Sequence, residues 1–179
     1  MVGFFTLNWE VSRLISEKNR ISNTLFQMKN RISKLRAYAA IIGTGSISIG
    51  AMLSAPAGYG QKLMSYLNYA HTNAMQYVQQ NTPTMMQMYF QNQANATASG
   101  QAPDPVQQQK QQAWIQNMLY QQERDRIKEL ERNRLMEIEH RMTQEKDRLE
   151  QELAMVKQEL SDAKSGRESA RSEMNVKYT

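Results

Sequence analysis

The chain has 179 residues, with 22 Lys and Arg against 17 Asp and Glu, a net charge of +5 and no cysteine. Without thiols it can form no disulfide staple, thiolate metal site or cysteine nucleophile. The charge is uneven: up to Tyr120 nine basic residues face three acidic ones, and from Gln121 onward thirteen face fourteen, so the excess is N-terminal.

The opening stretch MVGFFTLNWE has no basic n-region, too short an apolar run for a secretory signal and no cleavage site after it. The expected location is cytoplasmic, or outside the cell by a route that needs no signal, with membrane association left open.

From Val11 the apolar residues alternate in steps of three and four: Val11, Leu14, Ile21, Leu25, Met28, Ile32, Leu35, Ala39 and Ile42, with Lys18 as the one charged member. This heptad series predicts a helix from about Asn8 to Ile42, within an N-terminal element spanning residues 1–42. The stripe suits either an intramolecular bundle or an intermolecular coiled coil, because both bury the same face.

Residues 43–60 hold five of the eight glycines, and no Asp, Glu, Lys or Arg occurs from Ala37 to Gln61. Ser46, Gly50, Ser54 and Gly58 form a ladder of small residues every four positions that would allow close helix approach. Residues 37–61 are long enough to cross a bilayer, but they contain few strongly apolar residues. The expectation is an elbow buried against neighbours, with a membrane span as the alternative.

Leu63, Leu67, Ala70, Ala74 and Tyr77 predict a second helix to about Gln80, within a helical region over 61–92. Thr82 and Pro83 have the character of an N-cap and first position, so a separate short segment is expected to begin there. Met85, Met86 and Met88 beside Tyr89 and Phe90 suit either core filling or an adaptable binding face. Residues 93–105, rich in Ala, Ser, Gly and Pro, are expected to be a flexible linker.

From 106 to 164 a long polar helix is expected, with Gly166 ending it and 165–179 as a disordered tail. Ile127, Ile138, Leu149 and Leu160 recur every eleven residues, and Met142 and Leu153 repeat at the same interval. That period favours a nearly straight or slightly right-handed bundle. At 1.5 Å per residue the helix would run about 85–90 Å, too long to bury its stripe against itself. Other helices must cover it, from the same chain or from other copies.

The residues offer no chemistry of catalysis. His71 and His140 have no ligand at helical spacing, the GTG at 43–45 lacks the rest of a phosphate loop, and the acidic residues of the long helix are interleaved with bases. No catalytic, cofactor-binding or metal-binding residue is expected. Asn95-Ala96-Thr97 matches a glycosylation sequon that carries little weight without a signal. Arg13, Lys18, Arg20, Lys29, Arg31, Lys34 and Arg36 load the first helix with positive charge, but no stacking aromatics alternate with them, which argues against a nucleic-acid partner. An acidic stripe on a neighbour would suit them equally well.

The sequence therefore predicts an elongated all-α, coiled-coil protein: a non-enzymatic, self-assembling structural or adaptor protein, expected to be a homo-oligomer or to bind a protein partner through its coiled coils. Helical ends around an uncharged middle resemble the architecture of secreted filament subunits and of translocators in bacterial secretion machines. The alternatives are a membrane-inserting anchor or pore subunit using residues 37–61, and nucleic-acid binding through the first helix.

Overall fold

The computed structural model describes residues 2–44, 50, 54–96 and 105–176. Among these the chain is all-α, with three helices and no strand: α1 (Val2–Gly43), α2 (Gly60–Ala96) and α3 (Pro105–Val176). The chain divides into two compact units, one formed by Met1–Arg36 with Glu137–Thr179 and the other by Ala37–Met136.

In the first unit α1 and the C-terminal half of α3 pair antiparallel. Val11, Leu14, Ile21 and Leu25 of α1 pack with Val156 and Leu160 of α3, flanked by Leu149, Leu153 and Ala163. The direction is marked by Lys29 bonded to Glu150 at 2.9 Å, Arg36 to Glu139 at 2.6 Å, and a longer contact of 3.5 Å from Arg167 to Asn8. The acidic neighbour anticipated for the basic helix is thus α3 of the same chain.

In the second unit the N-terminal half of α3 pairs antiparallel with α2, and the last residues of α1 join them. Val78 packs with Ile115 and Leu119, and His71 meets Tyr120. Tyr38, near the end of α1, stacks tilted on Tyr59 with ring centroids 5.0 Å apart.

That contact overturns the reading of residues 37–61 as one membrane-crossing helix, which would hold residues 38 and 59 about 31 Å apart. No helix among the described residues is long and apolar enough to cross a membrane. Instead α1 ends at Gly43, where the Thr44 amide donates to the Ala40 carbonyl and its hydroxyl to the Ile41 carbonyl. Before α2 the chain turns at Pro56–Tyr59, closed by the Tyr59 amide on the Pro56 carbonyl, with Gly58 at φ +88°. A positive φ at the third position of such a turn is the glycine conformation of a type II turn.

The expected break at Thr82–Pro83 does not occur, and α2 runs through Pro83. Proline brings no amide hydrogen and crowds the preceding turn, which weakens carbonyl pairing there. Side chains supply donors to that turn: Asn81 Nδ2 bonds the Tyr77 carbonyl at 2.8 Å, and the buried Thr82 hydroxyl bonds the Val78 carbonyl at 2.6 Å. Thr82 therefore caps backward onto a carbonyl rather than forward onto an amide. Two further boundaries differ: α2 continues to Ala96, into the expected linker, and α3 continues through Gly166 to Val176, into the expected tail. A helical glycine costs about 1 kcal/mol but is no stop without a following proline, and the residues after Gly166 include Arg, Glu and Ala.

The eleven-residue stripe of α3 resolves into two spacings. Ile115, Leu119, Glu123, Ile127, Glu131 and Leu135, every fourth residue, are buried or half-buried in the second unit. In the first unit Leu149, Leu153, Val156, Leu160, Ala163, Arg167 and Ala170 follow heptad steps of four and three. Steps of four drift about 40° each around a helix, and this drift occurs where α3 has two neighbours, α2 and the end of α1.

Gly58 and Gly166 each have open space where a Cβ would stand, so alanine there tests backbone conformation alone. Gly166→Ala should raise stability by about 1 kcal/mol, and Gly58→Ala should lower it by about 1–2 kcal/mol. Urea unfolding of the two variants followed by circular dichroism checks both signs.

Candidate interaction surface

Of the residues expected to form the association seam, Val11, Leu14, Ile21, Leu25, Ile32, Leu35, Ile42, Ile127 and Leu160 are buried. Met28, Ile138, Met142, Leu149 and Leu153 are half-buried. Burial of the α1 and α3 stripes comes from helices of the same chain in each unit, one of the two sources of cover that the sequence allowed. In the small-residue ladder Gly50, Ser54 and Gly58 are exposed; Ser46 lies outside the described residues.

Sequence reading missed Tyr38, Ile115, Leu119, Leu135 and Val156, all buried. Tyr38 takes the place expected for Ala39 because it reaches Tyr59. The step of four that links Ile115, Leu119, Ile127 and Leu135 was legible, but Glu123 interrupts it. That carboxylate is buried and accepts two hydrogen bonds from Arg126, at 2.6 and 2.8 Å. The Arg126 guanidinium holds it below the usual carboxylate range, against the opposing effect of burial.

Two surfaces of the second unit stand out. A polar cavity of about 280 Å³ is lined by Ile42, Tyr66, Asn117, Tyr120, Arg124 and Lys128, among others. The Tyr120 hydroxyl shares a 2.9 Å hydrogen bond with His71 Nδ1, and Arg124 lies over the Tyr120 ring. Burial pushes the Tyr66 hydroxyl up, and pushes Tyr38 up to about 12 with help from the negative charge of Glu131.

The second surface is a more apolar open groove of about 730 Å³ between α2 and α3, lined by Met75, Val78, Thr82, Pro83, Met86 and Ala113, among others. Around it α2 is nearly chargeless: Lys62 is its one Lys, Arg, Asp or Glu. Met64, Tyr69, Met75, Met88 and Tyr89 on α2, and Val106 and Trp114 on α3, are exposed. Among the described residues no three His, Cys, Asp or Glu side chains are grouped as metal ligands.

The chain matches no protein family, no characterised protein and no solved structure. The chemistry of these surfaces is therefore the ground for a functional reading.

Two titrations follow. Tyr38 prefers its neutral form in the fold, so its stabilisation is complete below the unfolded value near 10 and is lost as pH rises toward about 12. Alkaline absorbance titration of Tyr38→Phe should lack the latest-ionising tyrosine. Glu123 has the opposite sign: its contribution is present above the unfolded carboxylate value and is lost as pH falls through its lowered folded one. Glu123→Gln should cost about 1 kcal/mol at pH 7 and flatten the acid limb of the stability curve.

Proposed function

We propose that the protein is a non-enzymatic scaffold or adaptor subunit that self-associates through the nearly uncharged outer surface of α2. One observation carries this reading: large apolar side chains stand exposed on a helix pair whose α2 member has a single charge. Scattered exposed apolar residues are ordinary on protein surfaces. Here Tyr69 (60% exposed) and Met88 (55%) stand on α2, whose one Lys, Arg, Asp or Glu is Lys62, and Trp114 (58%) stands on α3, so two copies can meet over α2 with few ions to strip of water. Methionine adds adaptability to such a contact.

The heptad seam is thereby a folding interface, and association belongs to a different face. Light scattering should give a concentration-dependent mass above the 20.7 kDa of one chain. Met75→Glu with Met88→Glu should return the mass to one chain with helicity intact. Ile21→Asp should instead lower helicity, because it opens the packing within the first unit. A wild-type mass of one chain at all concentrations refutes the reading.

A further inference from the structure

We infer that the outer face of α1 binds single-stranded nucleic acid. From Lys18 to Arg36, α1 carries six Lys or Arg and no carboxylate, and the next acidic residue in the chain is Asp104. Lys29 and Arg36 are taken up by Glu150 and Glu139 of α3. Arg20, Arg31 and Lys34 are exposed and, among the described residues, have no carboxylate within ion-pair distance.

The aromatic residues that the sequence failed to place with these cations are brought beside them by the fold. With the heptad stripe turned toward α3, Trp9, Asn23, Phe26, Gln27, Asn30 and Lys34 fall on the outward face, together with Arg20 and Asn19. Trp9 and Phe26 are each 67% exposed. Trp9, Arg13 and Arg20 border a shallow depression of about 450 Å³, with Ser12, Ser16 and Glu17 completing its edge. Arg13 is held by Glu10 at 2.9 Å and Glu17 at 3.7 Å, so Arg20 is the unpaired cation there.

Cations spaced along a ridge, with Phe26 between Arg20 and Lys34 and Trp9 at its start, match a strand that offers both phosphates and unstacked bases. The amides favour this partner over an anionic bilayer. Asparagine is a poor helix former, yet Asn19, Asn23 and Asn30 occupy exposed mid-helix positions and, among the described residues, bond no other side chain. Amides can serve base edges and sugars, and they do nothing for entry into acyl chains. The apolar seam that would sink into a membrane is already buried against α3.

The test is anisotropy titration of the full chain against a fluorescein-labelled, mixed-sequence 15-nucleotide single strand. Binding should weaken about sevenfold between 50 and 200 mM salt, as phosphate contacts from Arg20 and Lys34 on a single strand require. Trp9→Ala and Phe26→Ala should each weaken it about tenfold, and Arg20→Gln with Lys34→Gln should lower the salt slope by about 1.4. All four positions face away from the core, so helicity should be unchanged in each variant. In a Trp114→Phe background the strand should quench the Trp9 emission. No binding at 50 mM salt overturns the inference, as does binding that the aromatic variants leave unaltered. Trp9 shifting to the blue on vesicles containing 30% phosphatidylserine, with no response to the strand, also overturns it.

Discussion

The apolar stripe of α3 is the constraint on which the fold depends. It serves α1 in one unit and α2 in the other, and in both it runs antiparallel to its partner. A helix of this composition has no core of its own, and its stripe is stable only when another helix keeps it dry. The spacing along α3 changes where the partners change: heptad steps against a single helix, and steps of four where the end of α1 and α2 both lie beside it. Glu123 shows how strictly this geometry is imposed. A carboxylate falls on the stripe, and the chain supplies Arg126 one turn later to hold it rather than leaving it unpaired.

Charge sets direction more than it supplies stability. Lys29–Glu150 and Arg36–Glu139 join side chains that are largely exposed on the basic side, and such pairs contribute at most about 1 kcal/mol. Their effect is to favour the antiparallel alignment of α1 on α3, since from Lys18 onward α1 carries bases and no acidic residue of its own. The same distribution leaves α2 almost without ions and the outer face of α1 with cations in excess.

Helices were legible in the sequence because their periods are long and uninterrupted. The stripe from Val11 to Ile42 and the run from Leu63 to Tyr77 both correspond to helix in the structure. Boundaries were less legible, for local reasons. Pro83 and Gly166 are breakers only when nothing compensates, and compensation at Pro83 lies in the hydroxyl of Thr82 and the amide of Asn81, visible only once the backbone is known. Which helix covers which stripe could not be read from pattern alone, because a seam that faces α3 and one that faces another copy have the same periodicity. Nor could the face shared by Trp9, Arg20 and Phe26 be recognised before the direction of the seam was fixed.

The two units differ in what dissolved salt can do to them. In the first, the cross-helix pairs Lys29–Glu150 and Arg36–Glu139 lie at the surface, where dissolved salt screens the attraction that aligns α1 with α3. α2 has Lys62 as its one Lys, Arg, Asp or Glu, so its surface offers little electrostatic attraction for salt to screen. Screening therefore loosens the electrostatic register of one helix pair while leaving the exposed Met and Tyr side chains of α2 as they were.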